Sequence, residues 1–202
     1  MKFVLASHNK GKLAEMQEIL GALGVEVVLQ SDVGLALEPE ETGETFSENA
    51  AIKARAVMEA SGLPTIADDS GLCVDALGGG PGVFSARYGG QDSDKARYML
   101  LLNNMRGALS RAAHFHCAIV CCFPNGDTVS AEGDCHGTIA FSPMGEGGFG
   151  YDPVFFVPEK RKTFGQLSAE EKNAISHRGK ALRAFAVELK SYMEKNSYGT
   201  DQ

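Results

Sequence analysis

The sequence predicts an α/β protein built on a mixed sheet, and three stretches carry that expectation. Lys2 to Ala6 is apolar through Phe3-Val4-Leu5, as in a strand covered on both faces. A polar loop, Ser7 to Lys12, follows, and then Leu13, Met16, Ile19 and Leu20 recur at helical spacing. Second, Phe115–Phe123 and Thr128–Ala131 flank Asn125-Gly126, a hairpin signal that predicts an antiparallel section. Third, Thr65-Ile66-Ala67 reads as a short buried strand that stops at Asp68-Asp69 and turns at Ser70-Gly71. That would put two carboxylates at the carboxyl end of a strand, where open α/β sheets hold ligands.

The remaining elements follow in order. Val25–Leu29 reads as the second strand, and residues 30–44 as an acidic loop carrying Glu38, Glu40, Glu41 and Glu44. Thr45-Phe46-Ser47-Glu48 fits a capping box and opens a helix that Gly62 ends. Gly78 to Gly82 is a flexible turn, and a helix is expected from Asp94 to Met105. Cys135–Ile139 extends the antiparallel section, and Pro153 and Pro158 bound a further strand. Ser168 to Glu171 is a second capping box, and the last helix carries Ala181, Leu182, Phe185, Leu189 and Met193. From Asn196 on the chain reads as frayed.

The 202 residues suit one domain with room for two lobes. A net charge of −7 disfavours nucleic acid and anionic membrane as partners. The start of the chain lacks the apolar core of a signal peptide and no run approaches bilayer length, so a cytoplasmic protein is expected. Five cysteines, three of them in the apolar run at Cys117, Cys121 and Cys122, read as buried free thiols. No pair has C-x-x-C spacing, which weighs against structural zinc.

Several polar clusters carry chemistry. Two adjacent carboxylates repel unless a cation or a proton neutralises one. Asp68 and Asp69 therefore read either as a metal site with a general base, or as a turn in which Asp68 caps and Asp69 is solvated. An inward-turning glutamate from 38–44 would share the cation, or that loop is simply solvated. The loop before the first helix aims backbone N–H groups and the positive end of the dipole at an anion, and Ser7, Asn9, Lys10 and Lys12 add donors and charge. Lys53 reads as a phosphate contact or as a solvated lysine. Gly145 to Asp152 embeds Phe149 and Tyr151 among glycines, which suits base stacking or a ring that plugs the core. Together these residues suit a magnesium-dependent nucleotide enzyme.

The motifs Ser7-His8-Asn9-Lys10-Gly11-Lys12, Glu41-Thr42-Gly43, Ala67-Asp68-Asp69-Ser70-Gly71, Gly148-Phe149-Gly150-Tyr151-Asp152-Pro153 and Ser176-His177-Arg178-Gly179, in that order, closely resemble the inosine triphosphate pyrophosphatase family. The resemblance spans nearly the whole chain. It implies a long mixed central sheet flanked by helices, with two lobes around a substrate cleft, in a single domain covering 1–202. It implies a magnesium-dependent homodimer that hydrolyses non-standard purine nucleoside triphosphates (ITP, dITP, XTP) to monophosphate and pyrophosphate, cleansing the nucleotide pool. By position, Ser7, His8, Asn9, Lys10, Gly11 and Lys12 match the triphosphate loop. Glu41 and Asp69 match the metal ligands, and Asp69 also the proton acceptor, with Asp68 beside it. Lys53 matches a phosphate-side lysine. Ser70, Phe149, Gly150, Tyr151, Asp152, Lys172, His177 and Arg178 match substrate contacts, with Phe149 the stacking ring. Two rival readings are a Maf-like nucleotide pyrophosphatase and a nucleotide-sensing module without turnover. The segments 149–152 and 176–179 argue against the first, and the intact acid and lysine set against the second.

Overall fold

A computed structural model describes residues 1–196; the stretch expected to fray beyond Asn196 lies outside the described residues. The strands are β1 (Lys2–Leu5), β2 (Glu26–Leu29), β3 (Thr65–Val74), β4 (Ala112–Cys122), β5 (Thr128–Ile139), β6 (Phe155–Val157) and β7 (Lys162–Thr163). The helices are α1 (Lys10–Leu20), α2 (Phe46–Ser61), α3 (Asp94–Asn104), α4 (Ala169–Ile175) and α5 (His177–Lys195). The strands form one seven-stranded sheet in the order β2-β1-β3-β4-β5-β6-β7. β1 pairs in parallel with both β2 and β3, whereas β6 pairs antiparallel with β5 and with β7. The sheet is therefore mixed, as expected. The chain divides into two compact units: residues 1–69, 117–133 and from 181 on form the first, and 70–116 with 134–180 the second.

Alternation along β4 organises the core of the first unit. Cys117, Ile119 and Cys121 join Phe3 and Leu5 of β1, Met16 and Leu20 of α1, and Leu182, Phe185 and Leu189 of α5 in one cluster. Val120 and Cys122 point the other way, against Ala50 and Ala54 of α2. A strand buried on both faces has no polar position to spare, which is why the cysteines there are free, buried thiols. The second unit has its own core, in which Phe115, Phe155 and Phe164 meet Leu72, Leu101 and Met105. Phe115 and Phe155 lie 4.7 Å apart at 58°, a tilted packing that suits ring quadrupoles.

Local signals behave as their chemistry requires. Thr45 Oγ1 accepts from Glu48 N at 3.1 Å while Glu48 returns a carboxylate to Thr45 N at 3.0 Å, closing the capping box of α2. Gly62 ends that helix in the left-handed region. The box at Ser168 and Glu171 starts α4 in the same way. One expectation fails. β3 does not stop at Asp68 but runs through both acids and Ser70-Gly71 to Val74. The strand that ends is its neighbour: β1 pairs with β3 only at Val4↔Thr65 and Leu5↔Ile66. The acids stand where the parallel pairing has run out, so a polar site is reached without a turn.

Candidate functional site

The acids of the first unit are held by lysines. Asp68 is buried, and Lys12 of α1 donates to its Oδ1 at 2.8 Å. This is neither a helix cap nor a solvated turn. Lys53 of α2 lies 2.8 Å from Glu41 Oε1 and 3.6 Å from Asp69 Oδ1, so one ammonium serves two carboxylates. Glu41 is thus the glutamate of the acidic loop that turns inward. Gly43 makes that turn possible: its N–H donates to Asn49 Oδ1 at 2.8 Å, and a Cβ there would stand 2.6 Å from Glu48 Cβ. Burial pushes the Asp69 carboxyl above its ordinary range; Lys53 pulls it back, and Glu41 adds to the rise. Lys53 holds its proton more tightly than usual, because Asp69 and Glu41 outweigh the cost of its burial. Asp69 Oδ2 is buried and makes no hydrogen bond among the described residues.

The loop before α1 is built from its own side chains. Ser7 Oγ accepts from Asn9 N at 3.1 Å, and Asn9 Oδ1 accepts from Gly11 N and Lys12 N at 2.8 and 3.2 Å. Asn9 is thereby the N-cap of α1, and Lys10 and Gly11 are exposed. His8 is exposed, with its Nε2 3.1 Å from the buried amide of Gln30.

In the second unit a cavity of about 170 Å³ opens beside an exposed ring. Seven of the predicted residues line it: Ser70, Phe149, Gly150, Tyr151, Asp152, Lys172 and His177. Arg178 follows His177 in the first turn of α5 but is not among the lining residues. The volume falls below the ~300–1,000 Å³ of pockets that enclose whole small molecules and suits one flat ring system. Phe149 is 63% exposed, and Lys172 Nζ sits 4.5 Å from its ring centroid. Lys172 also donates to Asp152 Oδ2 at 2.5 Å. Burial pushes the Asp152 carboxyl up, and Lys172 draws it back down. Tyr151 is buried, and its hydroxyl donates to the Ser85 carbonyl at 2.8 Å. Its hydroxyl is therefore already paired within the protein. His177 stacks on Phe115 at 4.8 Å and 13°, which sets the plane of the imidazole.

Six lining residues, Gly71, Ser85, Ala86, Asp94, Arg97 and Phe115, were not among the predicted site residues. Asp94 opens the helix expected from the sequence, and it pairs with Arg97 one turn on at 2.5 Å. Their link to Gly150 crosses 56 positions and leaves no mark on the local pattern. Phe115 sits in an apolar strand run and reads as core.

Known proteins are similar to this chain over nearly its whole length. A dITP/XTP pyrophosphatase from Exiguobacterium sp. is 47% identical over 195 residues, covering 96% of this chain and 100% of that protein. The dITP/XTP pyrophosphatase of Nitrosomonas europaea is 52% identical over 184 residues, 90% of each chain. The solved structure of a HAM1 protein from Coxiella burnetii superposes with a TM-score of 0.90 at 44% identity, covering 95% of this chain and 99% of that one. The Ham1 family model matches residues 3–188. With a fold, a length and a sequence shared end to end, the chain belongs to the Ham1 family.

Proposed function

We propose that this protein hydrolyses non-standard purine nucleoside triphosphates, ITP, dITP and XTP, to the monophosphate and pyrophosphate, and so clears them from the nucleotide pool. The observation that carries the reading is the close match, over nearly full length, to relatives that bear the name dITP/XTP pyrophosphatase. Two features of the molecule support it: a lysine-neutralised acid cluster in the first unit and a ring-sized cavity in the second.

The residues fit magnesium. Glu41 and Asp69 offer hard carboxylate oxygens, and one of them, Asp69 Oδ2, is buried without a hydrogen-bond donor among the described residues. Two protein carboxylates are few, but magnesium completes its octahedron with waters and substrate phosphates. Bound there, the ion would neutralise charge on the phosphates and on the departing pyrophosphate. In this reading water attacks the α-phosphorus. The new P–O bond forms as the α–β bridging bond breaks, and Asp69 takes the water's proton. Lys10 and Lys12 serve the phosphate end, Lys12 from its place on Asp68, while Asn9 takes up the Gly11 and Lys12 N–H groups and Lys53 steadies the ionised acids.

Phe149 and Lys172 form the platform for the base in this reading. Hypoxanthine and xanthine present a keto acceptor at position 6, where adenine presents an amino donor. A site of fixed donors rejects the wrong partner by leaving buried groups unpaired. His177 and Arg178 are the donors nearest in sequence to that role. The protein works in the cytoplasm as a homodimer, without nucleic acid or membrane as partners, as the family likeness implies; among the described residues no helix is long and apolar enough to cross a membrane.

The test is product analysis with ITP, XTP, GTP and ATP, with and without magnesium. IMP or XMP plus pyrophosphate, dependent on magnesium and far slower with ATP and GTP, is expected. Release of inorganic phosphate and a diphosphate would overturn the site of attack. Tight binding without turnover would make the protein a sensor.

A further inference from the structure

The exposed ring of Phe149 is held by the backbone on either side of it. Its own N–H donates to Asp152 Oδ2 at 2.9 Å. The next N–H, of Gly150, donates to Asp94 Oδ2 at 2.7 Å. Asp152 belongs to the same short loop, whereas Asp94 comes from the first turn of α3, so the second bond ties the loop tip to a rigid helix. The loop needs that hold. Gly148 and Gly150 have φ of +77° and +61°, a region in which glycine is mobile unless its neighbours fix it. A Cβ on Gly148 would lie 1.9 Å from Asp152 Oδ2, so the loop is wound tightly on that carboxylate.

Asp94 is itself fixed. Its other oxygen accepts from Arg97 Nη2 at 2.5 Å, and Arg97 Nη1 donates to the Gln91 carbonyl at 2.7 Å. Ser93 caps α3 by accepting from Ala96 N at 3.2 Å, which leaves Asp94 free of the capping duty. Asp94 Oδ1 faces Arg97, and Oδ2 faces Gly150. Both Asp94 and Arg97 line the cavity.

We infer that Asp94 is a positioning residue for the base platform: pinned by Arg97, it clamps the Gly150 N–H and so sets where the Phe149 ring stands over the cavity. The consequence for nucleotide binding rests on the proposed reading of Phe149; the clamp does not. The simpler account makes Asp94 a helix-start acid that pairs with Arg97 and nothing more.

The two accounts separate in three variants. Asp94→Asn removes the charge and leaves one acceptor oxygen where the carboxylate serves two donors, so it can hold Gly150 or meet Arg97 Nη2 but not both. Asp94→Glu keeps the charge at the helix start but moves the carboxylate by one methylene. Asp94→Ala removes both. Amide exchange at Gly150, read by NMR, is expected to quicken at least about tenfold in the Ala and Glu variants, the scale of one lost charge-assisted bond, and to quicken less in Asn, which keeps one acceptor. With ITP, KM is expected to rise about tenfold in Ala and Glu with kcat little changed, since the platform and not the reacting end is disturbed. Unchanged Gly150 exchange in both Ala and Glu would overturn the inference. So would wild-type exchange and KM in Glu beside losses in both Asn and Ala, because that pattern would assign the effect to charge at the helix start. If the wild-type protein turns over no ITP, the functional reading fails, and exchange at Gly150 alone decides the role of Asp94.

Discussion

The two units solve the problem of holding polar groups ready in opposite ways. In the first, charge answers charge: Lys12 pairs with Asp68, and Lys53 spans Glu41 and Asp69. In the second, the ion pairs Lys172–Asp152 and Arg97–Asp94 are there too, but they serve a shape. Phe115, Tyr151 and Phe149 wall a small cavity, and hydrogen bonds to backbone N–H groups fix the loop that carries the exposed ring. The charged cluster should therefore answer to ions and to the removal of a partner, and the ring cavity to changes in geometry. This contrast can be broken or sharpened by substitution.

The largest effect is expected at the acids. Asp69→Asn keeps the size and removes the proton acceptor. A kcat loss on the order of 10³-fold is expected, within the range of general-base catalysis, with ITP binding retained; steady-state kinetics and calorimetry check both. Near-normal turnover would remove Asp69 from that role. Next comes Lys53→Met, which strands Glu41 and Asp69 without their shared cation. Breaking a buried pair costs ~3–5 kcal/mol, and since these groups keep some solvent access a loss of about 2 kcal/mol in urea unfolding is expected. Added magnesium should restore much of it in the variant and little in the wild type. If magnesium has no effect on the variant, Glu41 and Asp69 do not hold the ion.

A smaller effect belongs to the ring. Phe149→Ala should raise KM for ITP about tenfold, the scale of one lost base stack, with stability unchanged because the side chain is mostly exposed. Equal losses with inorganic triphosphate as competitor would argue against stacking. The smallest is a pH effect at Asp152. Its carboxyl titrates above the ordinary range, so the native state binds its proton more readily than the unfolded chain does. Its contribution to stability is therefore fully present below the ordinary aspartate pKa of about 4. It is lost as pH rises through the raised native value. Relative to Asp152→Asn, wild-type stability should fall across that window and level off above it. A flat difference between the two would show that Lys172 fully compensates the burial.

The sequence made the local devices legible because they are local. Thr45 with Glu48, and Ser168 with Glu171, satisfy helix N–H groups within four residues, and the Asn125-Gly126 hairpin closes through its own turn. The acids and the glycine-rich loop were visible as clusters of unusual chemistry. What stayed hidden depends on partners far along the chain. That β3 continues through Asp68 follows from where β1 stops pairing. The part played by Asp94 follows from Gly150, and the part played by Phe115 from the rings that stack on it. A residue whose local pattern is fully explained as a helix start or a core strand offers nothing further to a linear reading.

The bridge made by Lys53 reaches beyond catalysis. Small metal domains stay unfolded until their ion arrives, because their ligands have no other counter-charge. Here the chain carries its own. A newly made molecule can bring Glu41 and Asp69 together while still empty, and survive dilution or chelation without losing that part of its fold. On the proposed magnesium reading, supply of the ion would govern when the molecule works, and not whether it exists.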